Sequence, residues 1–331
     1  MPAHPDAAPV IAPVGWSWRL APALVVCLAA PAFFVVRLPW LGWSLLAIGL
    51  VLAWLIERRD AATRPDAAAR STEAAEAGGA DEVPGADEVP GADEAAGADE
   101  VAGAGEAAGI RAPSLVRDLS LIAVGLLVVS AISLKAELDD LAMVRFALAL
   151  GGAVAIPYAL SRWVYRDRAI RFPWRGGGRW TTFQWVWLAA VLVLGWLILP
   201  FYFITSGVYL NWPVVDTPEL IARLFVGVGA VGIWDELFFI CTCFALLRRH
   251  FPFWQANVLQ AVVFVSFLWE LGYQAWGPVL TIPFALLQGF IFMKTRSLTY
   301  VVSVHLLFDA VVFLVLVHAH NPGLLDGLFL V

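Results

Sequence analysis

Charge and cysteine are both scarce in this chain. Of its 331 residues only 15% are Asp, Glu, Lys or Arg, while 61% are hydrophobic. Soluble domains run nearer a quarter charged and half apolar, so a water-solvated globule is excluded and an integral membrane protein is implied. The mean hydropathy of +0.79 agrees. There are three cysteines, Cys27, Cys241 and Cys243, each inside an apolar stretch. No disulfide framework or zinc-finger spacing is present, so free thiols in membrane helices are expected. The net charge is −6, much of it in one acidic segment, and Arg and Lys stand in short clusters between apolar runs; no nucleic-acid partner is expected. The first apolar run follows Arg19, has no small-residue cleavage site and leads directly into a second run. That reads as a retained helical hairpin rather than a signal peptide.

What the chain does have is long apolar runs, about nine of them at roughly 17–25 residues each, the length a bilayer requires. They fall near 20–36, 39–56, 119–134, 143–163, 183–205, 220–247, 255–273, 277–293 and 298–319. Because backbone polar groups must be satisfied within lipid, these runs predict an all-α, polytopic protein with about 8–9 transmembrane helices. Between the second and third runs, "GADEVPGADEVPGADEAAGADEVAGAGE" (79–106) repeats Gly-Ala-Asp-Glu with a period of six and contains no aromatic residue. It cannot bury enough apolar surface to offset its ordering entropy, and it lacks the ligand spacing of a calcium loop. Residues 60–113 are therefore expected to be a disordered acidic linker. It divides an N-terminal hairpin (1–59) from two further spans with a basic loop (114–182) and a C-terminal core (183–320).

Positive charge sets the expected orientation. Arg58 and Arg59 follow the second run; Arg162, Arg166, Arg168, Arg171, Arg175 and Arg179 crowd the loop after the fourth; Arg248 and Arg249 end the sixth; Lys294 and Arg296 follow the eighth. With nine spans and a cytoplasmic N-terminus, all four clusters fall on the cytoplasmic side of a plasma membrane, whereas "YLNWPVVDTPEL" (209–220) has neither Lys nor Arg. The acidic linker is then cytoplasmic and the C-terminus outside. Trp40, Trp43, Trp163, Trp180 and Trp276 lie near span ends, where indole rings sit at the interface.

Few ionisable groups remain at membrane depth: Asp235 and Glu236 in "GIWDELFF", Glu270 in the seventh run, and His305 and Asp309 in the ninth. Such residues normally face a protein interior and mark function. His305 and Asp309 are four apart and share a helix face, which suits a hydrogen-bonded pair or two ligands of one metal ion. Asp235 and Glu236 are adjacent and diverge by about 100°, so only one is expected to face a shared centre directly. Desolvated, neighbouring carboxylates are the material of general bases.

The order of these groups is similar to the CPBP family of CAAX prenyl endopeptidases and bacteriocin-processing or immunity-associated membrane proteins, also called Abi. The resemblance spans roughly 183–320. The family pattern of Glu-Glu-x-x-x-Arg falls on "DELFFI", with Asp235 in the place of the presumed water activator, Glu236 as the second acid, Phe239 as the preceding aromatic and Ile240 where arginine is usual. Phe-x-x-x-His falls on "FVSFLWELGY" (264–273), starting at Phe264 but with Leu268 at the histidine position. His-x-x-x-Asp is intact as His305 and Asp309, and "LLQGFIFMKTRSLTYVVSVH" (286–305) has the family's usual lead-in. The resemblance implies a helical intramembrane protease core with catalytic Asp235, Glu236, His305 and Asp309. Glu270 is a possible replacement partner, although its helical direction differs by about 200° from position 268. Glu236, Glu270, His305 and Asp309 also form a potential set for a divalent metal such as zinc.

The function implied is an intramembrane endopeptidase that hydrolyses a peptide bond of a membrane-embedded or membrane-associated protein or peptide by carboxylate-activated water. The first alternative is a catalytically inactive member that binds a membrane partner, favoured by Ile240 and Leu268. The second is a transporter, against which stands the absence of any evident inverted repeat.

Overall fold

The computed structural model describes residues 17–77, 113–176 and 178–331. The acidic repeat at 79–106 lies outside the described residues. Among the described residues the chain is helical and contains no strand. Its helices are α1 (Leu20–Cys27), α2 (Ala29–Phe34), α3 (Pro39–Ala77), α4 (Leu115–Val129), α5 (Asp140–Ala159), α6 (Thr182–Pro200), α7 (Pro218–Asp235), α8 (Ala245–Arg248), α9 (Phe253–Leu271), α10 (Pro278–Thr295) and α11 (Leu298–His320). Because α3 continues to Ala77, the expected linker boundary at residue 60 falls within a helix.

Six helical rods are long and apolar enough to cross a membrane: Pro39–Ala62, Asp140–Val164, Thr182–Thr205, Pro218–Arg248, Pro278–Thr295 and Leu298–His320. The other three apolar runs form helices of different character, for local reasons. The first is split into α1 and α2, because Pro31 has no N–H to give the carbonyl of Cys27. The third is only the 15-residue α4. The seventh, α9, buries Gln255, Asn257 and Gln260. These amides connect α9 to α10: Asn257 Nδ2 donates to the Leu286 carbonyl at 2.8 Å, and Gln260 Nε2 donates to the Ala285 carbonyl at 2.8 Å and to Asn257 Oδ1 at 3.0 Å. The two helices approach closely because residue 289 is glycine; a Cβ there would meet Asn257 Oδ1 at 2.0 Å. In lipid, such small residues and interhelical hydrogen bonds do the joining that apolar burial does in water.

Helix starts follow from residue type. Ser114, Asp139, Thr181, Thr217 and Ser297 each accept a backbone N–H with the side-chain oxygen at the first turns of α4, α5, α6, α7 and α11. Each such cap contributes about 1 kcal/mol. Residue Gly272, at φ +137°, ends α9 with a conformation that other residues avoid.

All four basic clusters gather at one end of the bundle. Glu57 of α3, beside Arg58, accepts from Ser114 Oγ at 3.0 Å and from the backbone N–H of Leu115. Arg249 pairs with Asp118 at 2.7 Å and Asp167 at 3.5 Å, and His250 Nε2 meets Asp118 at 2.6 Å. Ser161 donates to Asp167 at 2.8 Å, and Gly176 abuts the Arg296 carbonyl. The opposite end is not free of positive charge, as Arg223 pairs there with Asp140 and Glu219 and donates to the Leu138 carbonyl at 2.9 Å. The three cysteines are free and buried.

Candidate active site

The rod that begins at Pro218 keeps α-helical geometry only to Asp235. From Glu236 to Phe244 it is a π-helix, with bonds reaching one residue further, and Thr242 Oγ1 correspondingly donates to the carbonyl of Leu237, five residues back, at 2.9 Å. Such widened turns recur at functional sites. This one begins between the two adjacent acids.

Both acids reach the same residue. His305 Nδ1 lies 2.7 Å from Glu236 Oε1, and His305 Nε2 lies 3.5 Å from Asp235 Oδ2. Asp309, one turn further along α11, brings Oδ1 to 3.9 Å from Nε2. The expectation that only one of the adjacent acids faces the centre is therefore corrected. The two imidazole nitrogens open in different directions, so side chains that diverge can each meet one. Asp235, Glu236, His305 and Asp309 are all buried, with Asp309 the most exposed at 6%.

Gln288 of α10, an uncharged residue that no motif singles out, completes the cluster. Its Nε2 donates to Glu236 Oε1 at 2.5 Å and to the Val301 carbonyl at 3.2 Å. Glu236 Oε1 is thus held from two sides, by an imidazole and an amide. Its other oxygen Oε2, Asp235 Oδ1 and Gln288 Oε1 are buried without a hydrogen-bond partner among the described residues. Unpaired buried acceptors are uncommon and costly, and they tend to mark sites rather than scaffolding. The surroundings are otherwise apolar: Phe284 sets its ring edge-on to His305 at 4.9 Å, and Phe264 lies 6.0 Å away.

Ile240 and Leu268, at the positions of the family's arginine and second-motif histidine, are core residues at 0% and 5% exposure. Phe264 does border the site. Glu270 does not join it, contrary to its expected part as a replacement partner: its carboxylate lies near the backbone of Leu134 and near Arg37. Its helical direction, about 200° from position 268, carries it to the other side of α9.

That position also decides the fit to a metal. Of the expected set Glu236, Glu270, His305 and Asp309, Glu270 is elsewhere and His305 Nδ1 is engaged by Glu236. Among the described residues no group of three or more His, Cys, Asp and Glu side chains is arranged to hold a metal ion. The residues as placed do not fit a zinc site of that composition.

Closeness of α7 and α11 is required for the cluster, and Gly232 provides it. A Cβ at 232 would sit 2.0 Å from Asp309 Oδ2 and 3.4 Å from His305 Cδ2. Gly232→Ala is expected to push Asp309 from its place and lower stability by about 1–3 kcal/mol, the usual range for overpacking a filled interior. Thermal unfolding in detergent checks this; an unchanged midpoint would show that α11 yields without cost.

Residues 217–311 match the model of the family described as type II CAAX prenyl endopeptidase Rce1-like. The matched stretch contains Asp235, Glu236, Gln288, His305 and Asp309, and the resemblance read from the motifs is borne out over it. No curated protein and no solved structure matches the chain.

Proposed function

We propose that this protein is an intramembrane endopeptidase that cleaves a membrane-associated peptide, with Asp235 as the base that activates water. The observation that carries this reading is the asymmetry of the two acids around His305. Glu236 is fixed by two donors to one oxygen, whereas Asp235 keeps Oδ1 free of protein partners and holds Oδ2 3.5 Å from His305 Nε2. One acid orients the imidazole and the other keeps one oxygen uncommitted to any protein partner.

In the proposed reaction, Asp235 Oδ1 accepts a proton from water as its oxygen bonds to the scissile carbonyl carbon. The carbonyl oxygen becomes an oxyanion beside His305 Nε2–H, the imidazolium being held through Nδ1–H by Glu236 and flanked by Asp309. Collapse breaks the C–N bond, and the proton on Asp235 passes to the leaving amine. Donors fixed in a dry, aromatic-walled site are worth far more than in water, which supports this use of the cluster. The family match supports a lipid-embedded setting and a peptide substrate. The gathering of arginines at one end supports an orientation with that end cytoplasmic and the C-terminus outside.

A second reading has its own observation. Ile240 and Leu268 replace the family's arginine and histidine with core side chains, which favours an inactive protein that binds a membrane partner. Purified protein in liposomes with a panel of membrane-tethered peptides, analysed by mass spectrometry, separates the two. Cleavage at a defined bond is expected. Intact peptides throughout, with one peptide or protein stably retained, would replace the protease reading with the binding one.

A further inference from the structure

Away from the acid cluster, the arginine-rich end of the bundle contains a cavity of about 490 Å³ where the close of the α5 rod meets the loop that follows it. Arg162, Arg168 and Arg171 line it, together with the rings of Tyr158, Phe172 and Trp174. Among the described residues no acid lines the cavity. The nearest in sequence, Asp167, is buried behind the wall, bonded to the lining residue Ser161 and paired with Arg249. The three guanidiniums themselves make no ion pair among the described residues. Three positive charges therefore converge on one hollow whose remaining wall is partly aromatic.

The backbone adopts costly conformations to produce this arrangement. Arg166 and Arg168 have φ values of +57° and +49°, a left-handed conformation unusual for residues other than Gly, Asn or Asp. Such outliers persist where the surrounding structure requires them, and they cluster at binding sites. The cavity also lies at membrane-interface depth. It opens at the end of the Asp140–Val164 span, and Trp163 and Trp174 beside it expose 68% and 46% of their surfaces. Exposed indoles at the end of a span mark the headgroup layer.

We infer that this cavity binds the phosphate of an anionic phospholipid headgroup. Guanidinium forks match phosphate oxygens bidentately, the aromatic wall suits the glycerol and upper acyl carbons, and basic pockets between helices at this depth have the chemistry of headgroup sites. The loop lining the cavity is joined to the helix that carries His305: the N–H of Leu298 donates to the Pro173 carbonyl at 3.0 Å, and Thr299 Oγ1 donates to the carbonyl of Trp174. A bound headgroup would therefore brace the first turn of α11. This inference is independent of whether the acid cluster is catalytic.

The test uses the full chain in detergent with equal amounts of phosphatidylglycerol and phosphatidylcholine, bound lipid being read by native mass spectrometry. Wild-type protein should retain phosphatidylglycerol in preference. At about fivefold for each arginine near an anionic headgroup, Arg162→Gln/Arg168→Gln/Arg171→Gln together should weaken retention on the order of 100-fold. Arg175→Gln/Arg179→Gln, in the same loop but outside the cavity, should change it by less than about twofold. If the triple variant does not fold, Arg171→Gln alone is read, with a loss of about fivefold expected. Unchanged retention in the cavity variants, or an equal loss in the control pair, would overturn the site. Displacement of the lipid by millimolar inorganic phosphate would identify a free anion as the ligand and overturn the lipid assignment.

Discussion

Asp235→Asn is expected to reduce peptide hydrolysis by about 10³-fold or more while the protein accumulates and unfolds much as the wild type does. The amide has the shape of the carboxylate and fits the same space, but it cannot take a proton from water. General-base action of a positioned side chain contributes roughly 10²–10⁴-fold. Asp235 is 1% exposed, so no alternative base reaches it from solvent, and Glu236 is held away by His305 and Gln288. Glu236 at 2.7 Å and Asp309 at 3.9 Å still flank His305 in the variant, which is why stability should be kept. The measurement is the single-turnover rate on a cleaved membrane peptide beside a thermal unfolding curve. A rate within about tenfold of wild type would sink the assignment of Asp235, since loss of the base should cost at least ten times more.

The second large effect belongs to His305. Its imidazole stands between Glu236 at 2.7 Å and Asp235 at 3.5 Å, with Asp309 at 3.9 Å. His305→Ala leaves three carboxyl groups together in an apolar interior without their common partner. Breaking a buried charge network from one side costs about 3–5 kcal/mol, so unfolding at a clearly lower temperature is expected along with loss of hydrolysis. The cause can be separated from simple truncation. Adding Asp235→Asn, Glu236→Gln and Asp309→Asn to His305→Ala should restore much of the stability and none of the activity. If His305→Ala is as stable as the wild type, the acids do not depend on the imidazole and the charge arrangement is wrong.

Much of the cluster is legible in the sequence, because charge in a hydrocarbon environment is conspicuous. Asp235, Glu236, His305 and Asp309 stand out from their neighbours, and the four-residue spacing on α11 fixes two of them to one face. Gln288 is not legible in the same way. An uncharged amide disturbs an apolar run little, and α9 contains others, Gln255, Asn257 and Gln260, of which the last two bond across to α10. The π-helical stretch is equally hidden, since residue type does not announce a widened turn, yet it begins between the two acids that reach one imidazole. Glu270 shows the converse. It is conspicuous for the same reason as the others, but its direction around α9 assigns it to Leu134 and Arg37. The gathering of arginines at one end follows from where the apolar runs stop; that three of them enclose a cavity depends on loop conformation, which spacing alone does not determine.

The contacts that α7 and α9 make with the N-terminal half have a practical consequence. Trp234, next to the proposed base, donates its indole N–H to the Leu150 carbonyl at 2.7 Å, and Phe267 of α9 packs edge-on against Phe34 of α2. Residues 217–311, the part that matches a family model, are thus braced by helices from outside that stretch. Excised as a fragment, that stretch would lose the supports on which Asp235 and Glu236 rest, so a minimal folded piece should be sought by trimming the chain's ends rather than by isolating the stretch that matches.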